Sequence, residues 1–139
     1  VHKQALAIAE AMLEEVLLQP FTYCDPDDPA AATALGPSDC KSPEKIGHEG
    51  EARLSTTSPF DNVNDYDGFT MSGGIVNIAG DPIPGLADYS VSVSVAAQGL
   101  GGVPASDALL VTVTVTHVPS NVSLRLDGYR TRYAPNALP

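Results

Sequence analysis

Two stretches in the second half of the chain alternate so strictly that they leave it little freedom. Tyr89-Ser-Val-Ser-Val-Ser-Val95 puts Tyr89, Val91, Val93 and Val95 on one side and serines on the other. Leu110-Val-Thr-Val-Thr-Val-Thr116 repeats the pattern, with Val111, Val113 and Val115 opposed to threonine. A period of two is the mark of strands with one buried face. Val118-Pro-Ser-Asn121 reads as a hairpin into a further strand, Val122-Ser-Leu-Arg-Leu126. Upstream, FTMSGGIVNI reads as a strand interrupted at Gly73-Gly74, and DPIPG turns the chain. Beyond Gly128, Tyr129 and Tyr133 fall in the opposite parity to Leu124 and Leu126, which a bulge at Gly128 would explain. Together these segments predict an antiparallel sheet of about four strands over residues 69–134.

A sheet with one apolar face needs a cover, and only Val1 to Gln19 can supply one. Ala5, Leu6, Ile8, Ala9, Met12, Leu13, Val16 and Leu17 recur at helical spacing, with Lys3, Glu10 and Glu14 on the opposite side. Pro20 ends the helix, since it lacks an N–H and disfavours helical geometry in the residue before it. The expected assembly is a single α+β domain over residues 1–139: helix at 1–19, an irregular region at 20–68, then the sheet. Leu6, Ala9, Met12, Leu13, Val16 and Leu17 are expected to face the sheet, with Glu10 and Glu14 exposed. The helix start carries no Ser, Thr, Asp or Asn cap, and His2 and Lys3 sit where the helix dipole favours negative charge. That pattern is expected of the lower half of a longer helix; a frayed N-terminal helix is the alternative.

Between helix and sheet, prolines at 20, 26, 29, 37, 43 and 59 leave no room for a regular helix or long strand. Phe21, Tyr23, Ile46, Leu54 and Phe60 are the candidate anchors of this region to the core. Cys24 and Cys40 bracket a segment rich in Asp, Pro and Ala. A disulfide there closes a loop of about 15 residues and contributes about 3 kcal/mol in the chain-entropy model, which suits an oxidising compartment. Two free thiols or half of a metal site are the competing readings; the metal version lacks CxxC spacing or a nearby His pair.

Composition narrows the partners. The net charge is −10, which argues against nucleic acid and anionic lipid, both of which need a cationic face. No apolar run approaches the roughly 20 residues needed to span a bilayer. Catalytic patterns are missing: Ser38 lacks the context of a nucleophile elbow, His2, His48 and His117 are scattered, and Gly99–Gly102 precede Val-Pro rather than a helix. No enzyme and no organic cofactor are expected. The one constellation with ligand chemistry is Asp61-Asn-Val-Asn64-Asp65-Tyr-Asp67-Gly68, hard oxygen donors before a glycine. Asp61, Asn64, Asp65 and Asp67 are thus candidate Ca²⁺ ligands. However, Val63 occupies the first ligand position of an EF-hand register and the closing Glu is missing, so an Asx-rich turn is the competing reading. Asp25, Asp27, Asp28 and Asp39 form a second acidic group, read as a solvated loop.

KQALAIAEAMLEEVLLQPF, the Cys-bracketed Asp/Pro loop, PFDNVNDYDGF and GYRTRYAP together resemble the minor pilins and pseudopilins of bacterial type IV pilus systems. The likeness is strongest to the MSHA biogenesis proteins of the MshD type, and it covers nearly the whole chain. It implies a non-enzymatic protein of pilus assembly, adhesion or a related secretion filament, with other pilins and assembly proteins as partners. It further implies an inner-membrane anchor formed by a hydrophobic N-terminal segment, and a domain on the periplasmic side or in an extracellular filament. The leader, cleavage site and hydrophobic half-helix of that family have no counterpart in this sequence. A secreted Ca²⁺-dependent binding module is the alternative.

Overall fold

In the computed structural model, residues 1–132 are described. A helix α1 (His2–Leu17) is followed by an irregular stretch, then strands β1 (Thr70–Met71), β2 (Tyr89–Ala97), β3 (Ala108–His117) and β4 (Val122–Thr131). The four strands form one antiparallel sheet in the order β1-β2-β3-β4, and α1 packs across β3 and β4. The chain is an α+β domain.

The alternating sequence sets the ladder. Val91 pairs with Val115, Val93 with Val113 and Val95 with Val111; Leu124 and Leu126 extend two of those rows into β4. All six valines are buried in one core cluster, each contributing about 1.5–3 kcal/mol by removal from water. The opposite face is polar, with a Thr116–Ser123 hydroxyl contact at 2.9 Å and an Arg125–Asp127 pair at 3.1 Å. One slip of register would exchange the two faces, so this pattern specifies the pairing strongly.

β4 departs from expectation at Gly128. There is no bulge: pairing runs unbroken from His117–Val122 to Ala108–Thr131, and Gly128 lies opposite Val111. The glycine is there for the helix. A Cβ at this position would stand 3.2 Å from Leu17 Cδ1 and 3.3 Å from Leu13 Cδ1. Tyr129 consequently points to the polar face, where its hydroxyl accepts from Gln98 Nε2 at 3.1 Å. Tyr133 lies outside the described residues. The stretch read as a strand at 69–78 shrinks to Thr70–Met71, because Gly73 and Gly74 both take positive φ and turn the chain away.

The helix presents the expected face to the sheet with one exception, Leu6. Its buried residues are Ala5, Ile8, Ala9, Met12 and Val16. Leu13 and Leu17 are half-buried over Gly128, and Leu6 is 38 % exposed rather than facing the sheet. Ala5 and Ala9 take the closest positions, which brings the helix backbone near the strands and leaves the larger leucines on the flank. Glu10 and Glu14 are exposed.

The irregular region docks by specific polar links. Val63 N donates to Pro20 O at 3.0 Å, and the buried Asn62 Nδ2 donates to Thr22 Oγ1 at 2.7 Å. Phe60, Tyr66 and Phe69 pack edge-on, with centroids 4.8 to 6.2 Å apart. Phe21 is buried, whereas Ile46 and Leu54 are exposed. Cys24 and Cys40 form a disulfide with Cα atoms 5.5 Å apart; Cys24, Ala31 and Ala34 make a small core of their own beneath Tyr23.

Candidate functional site

Two features of this frame have no role in merely closing the core. The first is the outer surface of α1. Lys3, Leu6, Ala7, Glu10, Ala11 and Glu14 are exposed along it, so a strip of small and charged residues runs the length of the helix. Beside it, Ile8, Met12, Ile75, Ile78, Ile83 and Leu86 line an open apolar groove between the helix and the loop before β2. The floor of that groove ends at an ion pair. Arg53 Nε and Nη2 reach Glu15 Oε2 and Oε1, both at 2.7 Å, and Tyr66 Oη donates to Glu15 Oε2 at 2.8 Å. The Arg53 side chain is 4 % exposed and that of Glu15 22 %. Hydrogen bonding to Glu15 holds the guanidinium pKa above its usual value, while burial, with the Glu15 charge beside it, raises that of the Tyr66 phenol.

The second feature is an acidic pocket where three loop segments converge. Carboxylate oxygens of Asp25, Asp27, Glu51 and Asp61 all lie within 4.8 Å of one another, and Asp25 belongs to a second such group with Glu44 and Glu49. Asp65 closes the inner wall. Its Oδ2 accepts from the N–H groups of Asp61 at 2.8 Å and Asn62 at 3.0 Å, as the cap of the 3₁₀ turn Val63–Tyr66. Its Oδ1 is buried without a hydrogen-bond partner, and the Glu51 and Asp61 carboxyls stand beside the Asp65 side chain. Glu44 Oε1, Asp61 Oδ1 and Asn64 Oδ1 are likewise buried without a partner.

None of the ion pairs found among the described residues reaches this pocket. Burial, reinforced by the Asp65 charge, pushes Glu44 and Glu51 up to about 9 and Asp61 up to about 7. Burial raises Asp65 as well. These carboxylates are packed together against their own charge.

The sequence-predicted ligand set is only partly assembled. Asp61 and Asp65 face the pocket, whereas Asp67 is spent elsewhere: its Oδ1 accepts from Val95 N at 2.8 Å and pins the turn to β2. Asp25 and Asp27, read as part of a solvated loop, come back across the disulfide to meet Asp61. Asp28 and Asp39 do not join them, because Asp28 accepts from Ala30 N and Ser42 N and Asp39 from Leu35 N. Sequence reasoning passed over Glu44, Glu49 and Glu51, which arrive from a segment with no ligand spacing of its own. The histidines stay apart: His48 Nδ1 accepts from Gly50 N at 3.1 Å, and the His117 ring meets Ser120 and Tyr89.

No family model, curated protein or solved structure matches the chain. Among the described residues, no helix is long and apolar enough to cross a membrane.

Proposed function

We propose that this chain is the domain of a minor pilin or pseudopilin that contributes to a type IV, MSHA-type pilus or a related secretion filament by packing rather than by chemistry. The observation that carries the reading is the disposition of α1. One face lies on the sheet, while Ala7, Ala11 and the charged positions beside them remain open to solvent. A helix clothed on one side and presenting small residues on the other is suited to packing against like helices, since small side chains let backbones approach closely. The groove beside Ile8 and Met12 gives a neighbouring apolar side chain a seat. Three separated histidines and two cysteines joined in a disulfide also favour a structural part over a nucleophilic one.

In this reading the protein works on the periplasmic side of the inner membrane or in an extracellular filament, with other pilins as partners. The disulfide fits an oxidising compartment. The deciding experiment is to read the coding sequence immediately upstream of Val1. A Gly followed by about 20 apolar residues, together with loss of surface filaments on deleting the gene, is the expected result. A conventional cleaved signal peptide there would overturn the proposal.

A further inference from the structure

The acidic pocket asks for a cation in a way that the pilin reading neither requires nor explains. A buried carboxylate is tolerated when it is paired, hydrogen-bonded or neutralised. Asp65 is 1 % exposed and satisfies only one of its oxygens with backbone N–H groups. The other, Oδ1, has no donor, and the Glu51 and Asp61 carboxyls stand beside the same side chain. Asp61 Oδ1, in the same wall, is buried and equally without a partner. Asp25 Oδ1 accepts from Asp27 N at 2.9 Å and Lys41 and Lys45 stand on the Asp25–Glu49 side, but no donor meets the two buried oxygens of the inner wall.

We propose that this pocket binds one Ca²⁺ ion, held by carboxylate oxygens of Asp25, Asp27, Glu51 and Asp61, with Asp65 Oδ1 on its inner side. The donor set is all oxygen, which selects a hard cation and disfavours zinc or copper. The cysteines are consumed in the disulfide, and His48 is not among the clustered donors. The ligands also come from irregular backbone on separate segments, which suits the flexible geometry of Ca²⁺ better than the octahedron Mg²⁺ demands. Asp27, the exposed member, gives the ion its way in from solvent.

The ion would do structural work. Asp25 and Asp27 lie inside the disulfide loop, Glu51 in the segment after it and Asp61 at the start of the 3₁₀ turn. One cation would staple all three and thereby fix the surface that the irregular region presents. This does not depend on the pilin reading, and either can fail without the other.

The test is calorimetry and thermal denaturation of the chelator-treated protein, titrated with CaCl₂ up to about 1 mM, the weak end for extracellular Ca²⁺ modules. Wild type is expected to bind with saturation at one ion per chain and to melt several degrees higher when loaded. Glu51→Gln and Asp61→Asn, both at half-buried positions, are expected to melt no lower than wild type without metal, because each neutral amide replaces a carboxyl whose charged form the pocket disfavours. Both are expected to lose most of the Ca²⁺-dependent gain. Asp81→Asn, outside the cluster, should respond to Ca²⁺ as wild type does. Absence of heat and of any shift in wild type would overturn the proposal. So would an equal response to MgCl₂, or variants that keep the full Ca²⁺ gain.

Discussion

Val113 and Asp65 are buried to nearly the same degree, yet they are held there by different physics. Val113 pairs with Val93 and Leu126 beneath α1, and every neighbour on its face is apolar. Removing it from water is favourable in itself. Asp65 is enclosed among Glu51, Asp61 and Glu44, and its burial is unfavourable unless protons or a cation offset the charge. The helix–sheet half would thus persist under conditions that loosen the irregular half. The first region is held by burial that is favourable in itself, the second by loops that bring like charges together.

The two halves are joined at Glu15, and that joint is where the comparison breaks most severely. Glu15→Ala would leave the Arg53 guanidinium buried without its counter-charge and the Tyr66 hydroxyl without its acceptor. Removing one partner of a buried pair costs about 3–5 kcal/mol. Urea denaturation at neutral pH should register that loss. A change under about 1 kcal/mol, typical of exposed pairs, would show that the joint carries little.

Next in size is the disulfide. Cys24→Ser with Cys40→Ser should cost about 3 kcal/mol in the chain-entropy model. Amide exchange is expected to accelerate first within the loop bounded by residues 24–40, while β2 and β3 keep their protection. Uniform loss across the sheet would mean that the two regions unfold as one unit. Smaller again is Gly128→Val, which pushes a branched side chain into the Leu13 and Leu17 methyls. Overpacking of this kind costs about 1–3 kcal/mol, and it should leave Ca²⁺ binding untouched because it acts only on the helix–sheet side.

What could be read from the sequence divides along the same line. The sheet was legible because Val91, Val93, Val95, Val111, Val113 and Val115 carry a period of two that a one-residue slip would turn to the wrong face. The helix was legible for the same reason, except at Leu6. Leu6 looks like core by hydrophobicity, and only the approach of Ala5 and Ala9 to the strands moves it to the flank. Gly128 was misread because a parity change along one strand looks the same whether it comes from a bulge or from a residue kept small for a crossing helix. The acidic pocket was half visible. Asp61 and Asp65 stand in a local run of donors, but Asp25, Glu44 and Glu51 reach them only through the folding of three loops, and no local spacing encodes that meeting. Glu15, too, was passed over, since nothing in the sequence marks its Arg53 partner 38 positions away.

The response to pH separates the two halves most cleanly. In the metal-free protein Glu44 and Glu51 are raised to about 9 and Asp61 to about 7 by burial and by the Asp65 charge. A carboxyl whose folded pKa exceeds its unfolded value makes its full contribution to stability below the unfolded value. That contribution is lost as pH rises through the folded value. With chelator present, the melting temperature should therefore fall steadily from pH 5 to pH 9, as the pocket is forced to hold bare charges. Asp28 acts in the opposite sense, because the N–H groups of Ser42 and Ala30 hold its pKa down. Its contribution is lost only as pH drops below the ordinary carboxylate range, outside this window. Saturating Ca²⁺ should flatten the decline, since a bound cation replaces the protons the cluster would otherwise need. A metal-free melting temperature that rises from pH 5 to pH 9 would mean that these carboxylates do not meet as described.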